Sequence, residues 1–314
     1  MNVLVTGGAG FIGRWTVKKL LEDGHKVWIL DNLSNGSLDN INEFYSHESL
    51  MEFVQGDIKD KGMLERIFEN KFDICYHLAA SINVQDSIDD PGATFENDVV
   101  GTFNVLEQCR KHNTKLVFMS TCMVYDRADS EKGIDELHPV KPASPYAGSK
   151  IAGENLVLSY WYAYKLPVVV IRPFNTYGPF QKSSGEGGVI AIFIKGREEG
   201  KVLNIYGDGK QTRDFLYVED CADFIIRAGY SDKADGQIIN AGTGEDITIN
   251  DLALLIVKDK FRIEHVAHIH PQSEIQKLLC NSRKACSLLS WRSRVSIAEG
   301  IAKTEKWIME KYNE

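Results

Sequence analysis

A short apolar strand, Asn2–Thr6, runs straight into Gly7-Gly8-Ala9-Gly10-Phe11-Ile12-Gly13, and this junction limits the fold more than any other part of the chain. A strand, a glycine turn and a helix beginning near Arg14 make a dinucleotide diphosphate site. The turn must be glycine-rich because the backbone has to approach the pyrophosphate closely. The helix N-terminus then offers unpaired N–H groups and a partial positive charge. The stretch fits G-x-G-x-x-G at Gly8, Gly10 and Gly13, and G-x-x-G-x-x-G at Gly7, Gly10 and Gly13. Such spacing alone also fits an ordinary turn, so its context decides. Residues 14–22 suit an amphipathic helix, Lys26–Leu30 reads as the next strand, and Asp31 closes that strand. An acid at this place binds the adenosine ribose hydroxyls. It also repels a 2′-phosphate, which favours NAD over NADP. Asn32 does not oppose this, whereas Arg14 and Lys18 are cations that would suit the phosphate.

Composition excludes several classes of function. The chain has 314 residues, 43% hydrophobic and 25% charged, enough for one large domain or two. A net charge of −8 argues against a nucleic-acid surface. No apolar run reaches membrane-spanning length. No basic, apolar leader comes before the first strand, so a cytoplasmic protein is expected. Cysteines 75, 109, 122, 221, 280 and 286 are scattered without a C-x-x-C, as expected for reduced thiols and not for a disulfide frame or a zinc site.

The first half alternates strand and helix. Glu52–Gln55, Phe72–Leu78, Leu116–Met119 and Val168–Ile171 read as strands. Residues 94–112 read as a helix with Val99, Phe103 and Leu106 on one spacing, and 146–164 as a long helix. This pattern implies an α/β fold, a doubly wound parallel sheet covered on both faces, with ligands at the carboxyl ends of the strands. After about residue 175 the pattern breaks. Gln181–Gly188 reads as a mobile Gly/Ser-rich loop, followed by a helix (189–199) and a strand (202–206). We expect a dinucleotide domain over 1–175 and a smaller mixed α/β substrate lobe over 176–314, with segments from about 210–245 returning to the main sheet.

Tyr146 and Lys150, four apart near the start of the long helix, share one face. A phenol has an unperturbed pKa of about 10 and is a poor base at neutral pH. A neighbouring ammonium favours the phenolate. Such a pair can take a proton from an alcohol while a hydride leaves for nicotinamide. In isolation Y-x-x-x-K also describes any amphipathic helix with an exposed lysine.

The pair is not isolated. Together with Gly7–Gly13 the chain carries Asp31-Asn32-Leu33, Gly56-Asp57-Ile58, His77-Leu78-Ala79-Ala80, Asn97, Ser120-Thr121, Val124-Tyr125, Tyr146–Lys150, Arg172-Pro173-Phe174-Asn175, Tyr177-Gly178-Pro179 and Gly207–Val218. In this order and at these separations the chain resembles the extended short-chain dehydrogenase/reductases, specifically the nucleotide-sugar epimerases and dehydratases, over nearly its whole length. The resemblance implies a Rossmann-like domain. It implies an NAD site made by Gly7, Gly10, Phe11, Ile12, Gly13, Asp31, Asn32, Asp57, Ile58, Leu78, Ala79, Ala80, Asn97, Tyr146 and Lys150. Asp57 and Ile58 would flank the adenine, and Lys150 would also touch the nicotinamide ribose. Thr121 would hydrogen-bond the sugar hydroxyl being oxidised. Asn175 and Arg213 would contact the diphosphate of a UDP-linked sugar, where a guanidinium fork suits phosphate. Glu274 would serve the ribose, with Lys277 standing where relatives often carry an arginine. The family also implies a homodimer formed through helices 94–112 and 146–164. A non-catalytic dinucleotide sensor on this fold would typically lose the Tyr or the Lys, and this chain keeps both.

One departure bears on the reaction. The family's 4,6-dehydratases carry Thr-Asp-Glu where this chain has Thr121-Cys122-Met123. Met123 cannot transfer a proton, and the ordinary pKa of a Cys122 thiol, about 8.5, is far from that of a carboxyl. Three reactions remain: 4-epimerisation, elimination to a 5,6-ene, or conversion of a 5,6-ene to a 4-keto-6-deoxy sugar. In the last, Cys122 or water protonates C5. Hexosamine 5,6-dehydratases of the family share the Thr-Cys pair but keep an acid at the position of Met123. The third reaction accounts for the loss of both carboxyls. His265, His268 and His270 lack the partners of a metal site, and none is expected. The aromatic helix bearing Tyr160, Trp161, Tyr162 and Tyr164 reads as a core or subunit-contact face, not a base-stacking platform.

Overall fold

A computed structural model describes residues 1–128, 132–183, 188–257, 263–268 and 271–312. In chain order the first half contains β1 (Asn2–Thr6), α1 (Phe11–Glu22), β2 (Lys26–Asp31), β3 (Leu50–Gln55), α2 (Lys61–Phe68), β4 (Ile74–His77), α3 (Val84–Asp89), α4 (Pro91–Phe95), α5 (Gly101–His112), β5 (Lys115–Met119), α6 (Pro145–Tyr164) and β6 (Val168–Pro173). The second half contains β7 (Asn175–Tyr177), α7 (Val189–Glu198), β8 (Leu203–Tyr206), β9 (Thr212–Arg213), β10 (Phe215–Tyr217), α8 (Val218–Tyr230), β11 (Gln237–Ala241), β12 (Ile247–Thr248), α9 (Ile249–Val257), β13 (Ile263–Val266), β14 (Lys277–Leu278), α10 (Arg283–Leu289) and α11 (Ile297–Tyr312).

The apolar strands form one seven-stranded sheet in the order β11-β6-β5-β4-β1-β2-β3. Every neighbouring pair in it is parallel. This is a Rossmann-like α/β fold, as expected. Side chains alternate across the sheet, so Val3, Val5, Ile29, Tyr76 and Val117 enter one core while Leu4, Leu30, Cys75, Leu116 and Phe118 enter the other. Each such burial is worth roughly 1.5–3 kcal/mol. The chain order reverses between β1 and β4, which opens the crevice where open α/β sheets bind ligands.

Three features sharpen the sequence expectations. β11 returns to the edge of the main sheet beside β6, and α8 packs against α1. Residues 189–257 contribute most of a further apolar core, where Phe193, Ile194, Leu203, Leu252 and Ile256 meet. The helix expected over 94–112 is not regular: a π-turn over Glu96–Val100 separates α4 from α5. That turn holds an extra residue, so the 3.6-residue count drifts. Val99 and Leu106 are buried, whereas Phe103 is 39% exposed. Residues 184–187 of the Gly/Ser-rich stretch, and His270, lie outside the described residues.

Candidate active site

The glycine turn is built so that side chains cannot enter it. Gly7 has φ +73°, and a Cβ there would sit 2.7 Å from the backbone nitrogen of Ala79. A Cβ on Gly13 would lie 2.0 Å from the carbonyl oxygen of Gly7. Gly10 caps α1, which begins at Phe11, so Gly13 lies within the first turn and not before it. The unpaired N–H groups of that turn face the crevice end of the sheet, a cradle that fits a diphosphate. Asp31 ties the turn to β2. The Ala9 N–H donates to its Oδ2 at 3.0 Å and the Leu33 N–H to its Oδ1 at 2.8 Å. Burial raises the Asp31 pKa, and these donors oppose the rise. The Asn32 amide donates to Asp57 at 3.2 Å, and Ile58 is buried beside Gly101. Leu78, Ala79 and Ala80 are half-buried at the end of β4.

The two cations that would suit NADP are engaged elsewhere. Arg14 is buried against the Phe180 ring, 3.7 Å from its centroid. Its guanidinium donates to Asn40 O at 2.9 Å and pairs with Glu43. Lys18 pairs with Glu22 at 3.7 Å.

The Tyr146–Lys150 pair lies where β5 delivers the chain to the crevice. Ser144 caps α6, its hydroxyl accepting the Ala147 N–H at 3.2 Å, and Pro145 occupies the first helical turn. Tyr146 and Lys150 therefore project from the first two turns, and both are buried. The Lys150 ammonium donates to Met119 O at 3.0 Å. Burial lowers its pKa, and Asp98 and Glu154 act in the opposite direction. Burial raises the Tyr146 pKa, and the nearby Asp98 raises it further; a hydrogen bond with Thr121 lowers it. Thr121 also caps the short turn Cys122–Val124, accepting the Met123 N–H at 3.2 Å. Tyr146 and Thr121 are hydrogen-bonded neighbours, and Lys150 lies one turn further along α6, held to the end of β5.

Cys122 is 3% exposed, and burial pushes its thiol up to about 12, with the Arg213 charge opposing the rise. It is a protonated thiol at neutral pH. Met123 is half-buried in the wall beside it. On the substrate side, Asn175 begins β7, with its Oδ1 buried and unpartnered among the described residues. Arg213 in β9 donates to Ile275 O at 2.7 Å and pairs with Glu274. The second Glu274 oxygen meets His268 Nε2 at 2.6 Å. Lys277 lies 3.8 Å from Asp246. Arg213 and Glu274, 61 residues apart, form one buried-edge pair, a link the sequence did not suggest.

Three further groups support the site without having been predicted. His77 bridges Thr6 at 2.7 Å and Thr102 at 3.0 Å, and burial pushes its pKa down to about 3, so it is neutral. Glu154, one turn beyond Lys150, binds Arg172 through both oxygens. Asn97 donates to Asp98 at 2.9 Å, and the charge of Lys150 lowers the Asp98 pKa that burial raises.

The family model described as "NAD dependent epimerase/dehydratase family" matches residues 3–242. Pal from Bacillus thuringiensis is 68% identical with TM-score 0.98, the match covering 99% of this chain and all of that one. UDP-glucose 4-epimerase of Thermus thermophilus, solved with NAD, is 34% identical with TM-score 0.89 over 98% of this chain and 99% of its own. The UDP-glucose 4-epimerase of Thermotoga maritima, solved with UDP-glucose, is 32% identical with TM-score 0.93 over 99% of this chain and 100% of its own. The glycine cradle, Asp31 and the engaged Arg14 agree with that cofactor. This chain belongs to the NAD-dependent epimerase/dehydratase family, the extended short-chain dehydrogenase/reductases, and uses NAD.

Proposed function

We propose that this enzyme converts a UDP-GlcNAc-derived 5,6-ene to a UDP-4-keto-6-deoxy-L-hexosamine. The observation that carries this reading is the buried, protonated Cys122 thiol beside Met123, where a dehydratase needs two carboxyls. Bound NAD would supply the hydride acceptor for C4 and the hydride donor for C6. Tyr146 accepts the C4 hydroxyl proton, Lys150 stabilises the phenolate that does so, and Thr121 orients the hydroxyl. The resulting 4-keto-5,6-ene is an enone. Hydride addition at C6 moves the electron pair of the double bond to C5, and the Cys122 thiol supplies the C5 proton. A thiol near pKa 12 is acidic enough for that carbanion-like centre, but it is a poor acid for expelling hydroxide. Atoms balance without net oxidation, and no water is released.

The two carboxyls on the substrate side are otherwise engaged. Asp214 accepts from Thr243, Gly244 and Cys280, and Glu274 is held by Arg213 and His268. The reading agrees with the chain's resemblance to the second enzyme of the Bacillus pseudaminic-acid pathway. Asn175 and Arg213 are proposed to hold the diphosphate, Glu274 and Lys277 the adjoining nucleotide. Release of Arg213 from Glu274 on binding is part of this proposal. Exposed Phe95, Phe103, Tyr162 and Tyr164 on α4–α6 support a homodimer through these helices. No helix among the described residues is long and apolar enough to cross a membrane, and all six cysteines are free thiols, in keeping with a proposed cytoplasmic site.

NMR of the protein with UDP-GlcNAc and, separately, with its 5,6-ene in D₂O tests the assignment. Consumption of the ene with deuterium entering at C5 is expected, and Cys122→Ala should slow that step. Inert ene with C4 epimerisation of UDP-GlcNAc makes the protein an epimerase. Formation of the ene from UDP-GlcNAc makes it a 5,6-dehydratase. Dehydration of a simple nucleotide-glucose at C4 and C6 would overturn the argument from the missing carboxyls.

A further inference from the structure

The π-turn between α4 and α5 packs against α6 and buries Asp98 to 2% exposure. Its carboxylate is only half satisfied. Oδ1 accepts the Ser81 N–H at 2.6 Å and the Asn97 amide at 2.9 Å. Oδ2 is buried with no hydrogen-bond partner among the described residues. An unpaired carboxylate oxygen in such a place is costly unless a charge faces it. The cation that acts on it is Lys150, buried on the adjoining helix α6, and Tyr146 of the same helix lies in the same field.

The other titratable groups around the pair are accounted for. Glu154, on α6 itself, is committed to the Arg172 guanidinium from β6 and to the Ser120 hydroxyl. His77, from β4, is neutral between two threonine hydroxyls. Cys122, from the turn after β5, is a neutral thiol. Asp98 is therefore the one anion facing the pair, among the described residues, that no cation of its own neutralises.

We propose that Asp98 is a positioning residue that acts through charge: its carboxylate is the counter-ion that keeps Lys150 an ammonium and sets the proton affinity of Tyr146. The inference rests on the Tyr146–Lys150 proton transfer proposed above, and it does not depend on which sugar is the substrate. The sign follows from electrostatics alone. A negative charge stabilises the protonated form of every neighbour, so removing it lowers the pKa of both Lys150 and Tyr146. Activity needs a phenolate at Tyr146, which sets the acid limb of the pH profile. It needs an ammonium at Lys150, which sets the basic limb. Asp98→Asn should move both limbs in the same direction, to lower pH. A downward shift of about one unit is expected when a charge in this buried setting is removed. Asp98→Glu, which keeps the charge, should leave both limbs in place even where it lowers the amplitude.

The first test needs no substrate. Phenolate absorbance at 295 nm is titrated in the NAD-loaded enzyme, and the Tyr146→Phe variant supplies the difference signal. The Tyr146 step should fall by about a unit in Asp98→Asn. Asp98→Ser, which retains an acceptor for the Ser81 N–H, serves as the second uncharged variant if the amide variant does not fold. The kcat/KM profile on the turned-over substrate is the second test. A Tyr146 step that stays in place in folded Asp98→Asn or Asp98→Ser overturns the proposal. It would mean that Asp98 is uncharged at working pH or serves only to hold the Ser81 loop. A shifted 295 nm titration in a protein inert to the 5,6-ene would support the role of Asp98 while refuting the substrate assignment.

Discussion

Glu154→Gln tests how firmly helix α6 is anchored. Glu154 and Arg172 are 2% and 3% exposed, and both carboxylate oxygens receive the guanidinium. The Ser120 hydroxyl donates to the same carboxylate, and Arg172 lies 4.6 Å from the centroid of the Tyr125 ring. Through these bonds α6 is fixed to the ends of β5 and β6, one turn beyond Lys150. An amide at 154 presents NH₂ to a guanidinium nitrogen and removes the counter-charge. Arg172 Nη1 already lacks a partner among the described residues, and the neutral Tyr125 hydroxyl beside the guanidinium brings no counter-charge. Breaking a buried pair on one side costs about 3–5 kcal/mol. At roughly 2.1 cal/mol/K of unfolding entropy per residue, 314 residues give about 0.66 kcal/mol/K, and Tm should fall by about 5–8 °C. Differential scanning calorimetry of the NAD-free protein reads this directly. The double variant Glu154→Met with Arg172→Met leaves no buried charge and should recover at least half of the loss. A single variant within about 2 °C of wild type, or a double variant no better than the single one, would refute the reasoning.

Tyr146→Phe should lower kcat by about 10²–10⁴-fold while NAD affinity is kept, checked by turnover and by titration of the cofactor; a dinucleotide sensor would lose nothing. Gly13→Ala would place a Cβ 2.0 Å from Gly7 O and 2.8 Å from Gly8 Cα. Both are backbone atoms that no rotamer change can relieve, so NAD should bind at least about 10-fold more weakly, about 1.4 kcal/mol, by calorimetry. His77 sits near pKa 3 in the folded protein against about 6.5 unfolded. Its contribution is therefore present above pH 6.5 and is lost as pH falls towards 3. Between pH 7 and 5 wild type should lose about 2 kcal/mol more than His77→Gln in urea unfolding; parallel curves for the two proteins would rule this out.

Features that obey a local rule were legible in the sequence. Parallel strands covered on both faces are continuous apolar runs, so β1, β2, β5 and β6 could be read directly. The glycine turn and the Tyr146–Lys150 spacing are short-range patterns, and the structure puts them at one crevice. The small sheets after residue 175 were less legible because their strands are two to four residues long and pair across large separations. Lys277 beside Thr212 and Ile263 beside Leu203 are examples. The pairing of Arg213 with Glu274 is a long-range event of the same kind. The π-turn is the most instructive case. Helical periodicity assigns faces by counting, and an inserted residue rotates everything after it by about 100° relative to what precedes it. Counting through Glu96–Val100 left Asp98 unremarked, although its carboxylate is buried where the turn packs on α6. Such turns persist where a displaced side chain has a use. Here the displacement coincides with an unpaired buried carboxylate oxygen beside the only ammonium of the proposed proton-transfer pair, and that coincidence ties the irregularity to the chemistry and not to packing alone.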